Sequence, residues 1–358
     1  MRKYKGAFYA ILFFFSLRIL FDRIVAPLFF KKIIDLLSLV SVDRLSVSSE
    51  IFKYIFIMIG IYFFTFFVAR IIKFIFFNFE INVIRELRNF AFQKIENNSQ
   101  TFFANIFAGS LVTKARRFVG SFETMFDILI YSFLKFSVIL VGVFFVLVYQ
   151  SPKISAVFAL WIIIHISVVS LLVRRKVKYD ILEAEQDSKI SGRLADVFSN
   201  ISAVKFFSAR KSEIGSFSKY TDEGAKRSRK AWFLGGKIDL IQHLFIIIIQ
   251  SVVLYLMVVL WLEDKMSTGT VVLIEMYMVI VSDVLWDFGN SLTKFMKSTS
   301  DMKEMVDIFE ITPDILDHKN PEQLKMSEGH IVFQDVSFKY LMGEEVLCNF
   351  NLDIIYGE

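Results

Sequence analysis

The sequence predicts an all-α membrane protein: six long transmembrane helices, two pairs of them prolonged as cytoplasmic helical extensions, followed by a short β segment. Three observations predict it. Six apolar segments each reach the roughly 20 residues a helix needs to cross about 30 Å of hydrocarbon. Two long segments between them have few helix breakers and keep apolar residues at spacings of three and four. The C-terminal run instead alternates apolar and polar residues with the period of a strand.

Composition supports the membrane class. Of 358 residues 55% are apolar, with 42 Phe and only 4 Pro, leaving too little polar surface for a water-soluble domain of this length. The net charge of +5 does not point to nucleic acid, because no basic patch interleaved with aromatics sits on a recognisable binding module. Cys348 is the single cysteine, which excludes an internal disulfide and a Cys-based metal site. His165, His243, His318 and His330 lie far apart without ligand spacing, so no metal is expected.

The first span runs from Ala7 to about Phe30, after the basic start Met1-Arg2-Lys3-Tyr4-Lys5. A cleaved signal peptide fits poorly, because Arg18, Asp22 and Arg23 interrupt the run and no small-residue cleavage site follows. The other spans are about Ile51–Asn78, Phe126–Tyr149, Ile154–Val173, Ile238–Leu262 and Thr270–Thr293. An even number of spans places both termini on one side. Basic residues crowd the segment after the fourth span, from Arg174 to Lys230, and the segment after the second, from Arg85 to Arg117. By the positive-inside tendency both termini and both long segments are cytoplasmic.

Neither long segment reads as a loop. In the second, Ile190, Leu194, Val197, Ile201 and Val204 keep helical spacing, and a structureless stretch of this length is improbable in a folded domain. The second to fifth spans are therefore expected to continue as two helical hairpins with a short connector at each tip. The last span follows Ser267-Thr268-Gly269-Thr270, extends through Asp301–Phe309, and stops before Pro313. Residues 313–328 are polar and include Pro321, the composition of a linker.

Beyond it, His330 to Tyr340 reads as a strand with Val336, Phe338 and Tyr340 on one face. Gly343-Glu344-Glu345 is a turn signal, and Phe350, Leu352 and Ile354 alternate with Asn351 and Asp353. A hairpin this small buries too little surface to stand alone. It is expected to open a larger soluble domain.

The run Ile331 to Tyr340, then Val346-Leu347, Asn351-Leu352-Asp353-Ile354 and Gly357-Glu358, resembles the start of an ATP-binding cassette (ABC). Upstream, essentially the whole chain resembles the membrane domain of ABC exporters. The resemblance implies a division into residues 1–312 as the transmembrane domain, 313–328 as linker, and 329–358 as the first part of a nucleotide-binding domain. Phe102-Phe103-Ala104-Asn105 and Ala108-Gly109-Ser110 are similar to the family's first coupling segment. Val204-Lys205-Phe206-Phe207, then Ala209-Arg210-Lys211-Ser212-Glu213 and Phe217, is similar to the region carrying the second. One departure is that Arg116-Arg117 is followed by Phe118-Val119-Gly120 and not by the family's frequent Asp, which puts the usual local ion pairing in doubt.

Tyr340 matches the family's aromatic residue that stacks on adenine; stacking holds a planar base without reading its edges. No Gly-x-x-x-x-Gly-Lys-[Ser/Thr] run occurs, so this chain holds no phosphate cradle and no catalytic residue is assigned. ATP and Mg²⁺ are implied for a complete protein, of which this sequence reads as a piece ending before the phosphate loop. The family also implies a homodimer or a heterodimer with a second half-transporter, in a lipid bilayer.

Ionisable residues at membrane depth default to functional candidates. Arg18 and Asp22 are four apart on the first span; Asp283 and Asp287 are four apart on the last. Two readings stand: a polar pathway that contacts cargo, or pairing of Arg18 or Arg23 with Asp283 or Asp287. The expected function is ATP-driven export of an unidentified lipid, drug, peptide or glycan, the alternatives being an uptake system on the same fold or a receptor without transport.

Overall fold

The computed structural model describes residues 4–39, 44–105, 108–312, 329–339 and 345–357, which fall into two compact units, Met1–Thr312 and Pro313–Glu358. The linker and Tyr340 lie outside the described residues.

The first unit is helical throughout. Helix α1 (Lys5–Ile19) passes through a π segment, Leu20–Val25, into α2 (Ala26–Leu37). Helix α3 (Arg44–Glu96) is 53 residues long and ends at the short α4 (Gln100–Asn105). Helix α5 (Ala108–Asp127) continues through a second π segment, Ile128–Leu134, into α6 (Lys135–Gln150). A tight turn at Ser151, extended at φ −159° with its side chain accepting from the Ile154 N–H, caps α7 (Pro152–Ser199), and Pro152 supplies the fixed φ suited to a first helical turn. The short α8 (Ile201–Phe206) leads to α9 (Arg210–Leu262), and α10 (Thr268–Phe309) closes the unit.

Four of these helical runs are long and apolar enough to cross a membrane: Leu45–Glu96, Leu111–Gln150, Pro152–Ser199 and Arg210–Leu262. The sequence expectation of six adds the α1–α2 run and α10. Both of these carry charge inside the apolar stretch, Arg18, Asp22 and Arg23 in the first and Glu275, Asp283 and Asp287 in the last.

At a rise of 1.5 Å per residue, the 53 residues of α3 or α9 extend about 80 Å, against about 30 Å of hydrocarbon. The parts of these helices beyond the spans form the two hairpins, with α4 joining α3 to α5 and α8 joining α7 to α9. Helices α7 and α9 pack along their length. Gln186 is buried and donates to the Tyr220 carbonyl at 3.0 Å, and Arg227 donates to the Leu182 carbonyl at 3.0 Å.

The main core is drawn from every long helix: Ile11 and Phe15, Phe76 and Phe79, Phe126, Val143, Phe158, Val253, Leu273 and Tyr277. Rings of Phe76, Phe79 and Phe122 surround Phe126 with centroids 5.0–6.1 Å away. This accounts for part of the phenylalanine excess, since aromatic pairs add to simple area burial. Many other Phe side chains on α3, among them Phe63, Phe67 and Phe74, remain exposed on its outer face. A second cluster, Leu111, Phe118, Val119, Met305 and Ile308, joins α5 to the far end of α10.

The second unit is an antiparallel hairpin of β1 (Ile331–Lys339) and β2 (Glu345–Ile354), pairing Ile331 with Ile354 and Phe333 with Leu352. Its alternation is less regular than the sequence implied. Asp335 and Asn349 take φ of 49° and 48°, and the register shifts between Phe333 and Val336 and again before Phe338. Such bulges insert residues into one strand and break the period of two. Phe333 and Val336 are therefore the partly covered side chains of β1, while Phe338 is exposed.

Candidate functional site

Two groups of the expected site residues lie among the described residues: the hairpin tips and the ionisable residues of the first and last helical runs. At the first tip, Phe103 lies on α4 beside Phe102, with ring centroids 5.2 Å apart at 89°, and is exposed. Ala104 and Asn105 complete α4, and Gly109 is the second residue of α5, its carbonyl accepting from Thr113 Oγ1 at 2.9 Å.

At the second tip the short helix is Ile201–Phe206, and Phe206 and Phe207 are 85% and 83% exposed. The turn is made at Ser208, with φ 52°. Ala209 is the cap of α9, and Arg210, Lys211, Glu213 and Phe217 occupy its first two turns, behind the tip helix and not on it. Arg210 and Lys211 are exposed. Glu213 faces inward: the Arg193 guanidinium on α7 donates to Glu213 through Nη2 and to Asp196 through Nη1, the latter at 2.8 Å. Arg210 and Lys211 thus stand on an open surface, while Glu213 makes the bond that closes the hairpin.

The departure noted after Arg116-Arg117 has a structural answer. Arg117 Nη1 lies 3.8 Å from Asp301 Oδ1 and 3.6 Å from Glu304 Oε2, both on α10. Ser121 Oγ donates to Asp301 at 3.3 Å. The acidic partners come from another helix, which a local motif does not reveal.

The membrane-depth residues divide. Arg18 and Asp22 line one cavity of about 440 Å³ between α1, α3 and the second π segment, together with Thr65, Arg70, Lys73 and Tyr131. Asp283 and Asp287 are exposed on α10, and Asp287 faces a separate, small recess with Ser132 and Lys135. Among the described residues neither of these two carboxylates forms an ion pair, and Arg23 binds Asp22 at 3.2 Å. Of the two readings, the pairing of Arg18 or Arg23 with Asp283 or Asp287 across the first and last helices is not made among the described residues.

Those helices are joined elsewhere. The Tyr277 hydroxyl donates to the Ile24 carbonyl in the first π segment at 2.8 Å, fully buried. At the end of the bundle away from the tips, Asp35 Oδ1 accepts from the Gly269 N–H at 2.8 Å, and Lys31 Nζ donates to Asp35 Oδ2 at 2.8 Å. Burial alone would raise the Asp35 carboxyl, but Lys31, Ser267 and the Gly269 N–H together hold it below its usual value. Sequence reading missed both bonds; Ser267-Thr268-Gly269-Thr270 signalled the start of a helix but not its partner.

The family model described as the ABC transporter transmembrane region matches residues 9–285. This chain belongs to that family. ABC sub-family B member 6 of Xenopus tropicalis is 23% identical over 70% of this chain and 30% of its own length. The ATP-dependent lipid A-core flippase of Wigglesworthia glossinidia brevipalpis is 19% identical over 72% of this chain and 44% of its own. The mitochondrial iron-sulfur clusters transporter of Chaetomium globosum is 28% identical over 48% and 29%. This chain therefore spans less than half the length of these ABC relatives. A solved structure of a bacterial Atm1-family ABC exporter with ATP bound superposes with a TM-score of 0.78 at 17% identity, over 99% of this chain and 61% of that one. Membership in the ABC transmembrane family, with its long apolar helices, makes this a multi-pass membrane protein.

Proposed function

We propose that this chain is the membrane part of an ATP-driven exporter-type half-transporter that works as a dimer, homomeric or with a related half. Residues 1–312 form six spans, with α1–α2 and α10 as the first and last and both termini cytoplasmic. Residues 313–328 are the linker, and 329–358 begin the nucleotide-binding domain.

The observation that carries this reading is the pair of stiff hairpins, which run about 27 Å and about 40 Å past the expected span ends at 1.5 Å per residue, each ending in a six-residue tip helix. Their place in a chain matched to the family over residues 9–285 supports reading them as levers. Phe103, Ala104, Asn105 and Gly109 at the first tip, and Ala209, Arg210, Lys211, Glu213 and Phe217 at the second, receive motion. Unbroken α3, α7 and α9 carry it into the bundle, which alternates between inward- and outward-facing states. Arg18, Asp22, Asp283 and Asp287 are the polar residues of the cargo pathway.

In the complete protein ATP with Mg²⁺ supplies the energy, but the residues of this chain do not fit the phosphates, and only Tyr340 is assigned to the nucleotide, stacking on adenine. The test uses the complete protein. Tyr340→Ala should weaken ATP binding about 5- to 150-fold, the loss of one stacked base, with insertion into membranes unchanged. Unaltered nucleotide affinity removes Tyr340 from the site. In oriented vesicles offered lipids, drugs, peptides and glycans, ATP-dependent accumulation of the sign expected for export supports the proposal, and the opposite sign makes it an uptake system.

A further inference from the structure

The cavity between α1 and α3 holds more positive charge than the protein neutralises. Arg18, Arg70 and Lys73 converge on it, and among the described residues none of the three forms an ion pair. The one carboxylate of the lining, Asp22, is bound at 3.2 Å by Arg23, which is not among the lining residues. Arg70 lies over the Phe66 ring at 4.9 Å and Lys73 over Phe77 at 5.4 Å. Cation–π contact offsets only part of the cost of a cation near hydrocarbon.

Position along α3 sets the depth. With the span ending near Asn78, Lys73 lies about 7 Å and Arg70 about 12 Å inside its end at 1.5 Å per residue. Both are exposed, beside the outward phenylalanines Phe63, Phe67 and Phe74. A group that satisfies three cations here must bring negative charge inward from the headgroup region and an apolar body alongside α3. Long Arg and Lys side chains meet such a charge by reaching toward the interface. Asp283 and Asp287 do not line this cavity.

We propose that the α1–α3 cavity binds the headgroup of a net-anionic phospholipid from the leaflet nearest the hairpins, with Arg18, Arg70 and Lys73 on its phosphate and the acyl chains against the exposed phenylalanines of α3. The depth of the site rests on the span assignment proposed above, and Arg18 is thereby given to a lipid in place of the cargo pathway. The binding needs no nucleotide and is read without transport, so its failure is distinct from a failure of the transporter reading.

The test is a lipid titration of the full chain in detergent, followed by native mass spectrometry. Phosphatidylglycerol should bind at least about tenfold tighter than phosphatidylcholine with the same acyl chains. Lys73→Gln, at an exposed position where folding is not at risk, should lose about fivefold, the effect of one basic residue near a membrane surface. The triple change Arg18→Gln, Arg70→Gln, Lys73→Gln should abolish the preference, while Arg18→Lys with Arg70→Lys retains it. Asp283→Asn with Asp287→Asn should leave it unchanged. Equal binding of the two lipids, an unchanged preference in Lys73→Gln, or displacement of phosphatidylglycerol by millimolar inorganic phosphate would each overturn the assignment, the last by making a free anion the occupant.

Discussion

Asp35 on α2 and Gly269 at the start of α10 are 234 residues apart in sequence, yet the carboxylate accepts the glycine N–H at 2.8 Å. The approach is possible only because position 269 has no side chain. A Cβ there would sit 2.3 Å from the Lys31 carbonyl oxygen and 2.4 Å from Asp35 Oδ1. Gly269→Ala should therefore cost about 1–3 kcal/mol, the range for an overfilled site, seen as a lower unfolding midpoint in detergent by circular dichroism. An unchanged midpoint would refute the close approach.

The same contact predicts an acid dependence. The Asp35 carboxyl is depressed in the folded state, so its contribution is present in full above the ordinary Asp value of about 3.9 and is lost as pH falls through the lower, folded value. Asp35→Asn should flatten the unfolding midpoint against pH below about pH 4. An equally steep acid loss in the variant would assign that dependence to other carboxylates.

Tyr277 is buried beneath the first π segment, and its hydroxyl is spent on the Ile24 carbonyl. Tyr277→Phe keeps the ring and removes that bond. Inside a membrane protein such bonds contribute about 0.6 kcal/mol and rarely more than 1.7, so a small loss is expected, with faster amide exchange confined to residues 20–25. Tyr277→Ala, which also empties the site, should cost about 3–5 kcal/mol. If the two variants were equally unstable, the hydroxyl and not the ring would be the main contributor.

Much of this was legible in the residues. Long apolar runs declare α3, α6, α7 and α9, because hydrocarbon admits little else, and the three-and-four spacing beyond Val173 declares the second hairpin. The π segments were not legible. Leu20–Val25 has no local signature, yet its π winding turns the residues beyond it to other faces than an unbroken α-helix would. The partner of Asp22 is its neighbour Arg23, and among the described residues no pairing with α10 forms. The basic lining of the α1–α3 cavity was half visible: Arg70 and Lys73 share a face at a spacing of three, but that Arg18 meets them depends on which helices are neighbours. The bulges at Asp335 and Asn349 were likewise hidden behind an alternating pattern.

The join between α5 and α10 separates charge from packing. Arg117 reaches Asp301 and Glu304 only at 3.8 and 3.6 Å with 43% of its side chain exposed, so Arg117→Ala should cost less than about 1 kcal/mol. Met305 is fully buried beside Phe118 and Leu111, and Met305→Ala should cost about 2–5 kcal/mol. Thermal unfolding of the two variants decides the order; a larger loss for Arg117→Ala would mean that the ion pairs, and not the apolar seam, hold α5 to α10.

The Arg193–Glu213 bond closes the second hairpin just behind its exposed tip, with both side chains about three-quarters covered. Asp196, the other partner of Arg193, is 57% exposed, so water competes for it. A double-mutant cycle of Arg193→Ala and Glu213→Gln should return a coupling of about 0.5–3 kcal/mol, and the cycle with Asp196→Asn a smaller one. Amide exchange in α8 should quicken in Arg193→Ala, because the tip helix buries none of its own side chains and depends on the base of the hairpin for its position. On the transporter reading proposed above, the same variant in the complete protein should uncouple ATP hydrolysis from transport while leaving hydrolysis measurable. A coupling near zero, with exchange in α8 unaltered, would show that α7 and α9 hold the tip through their packed length alone.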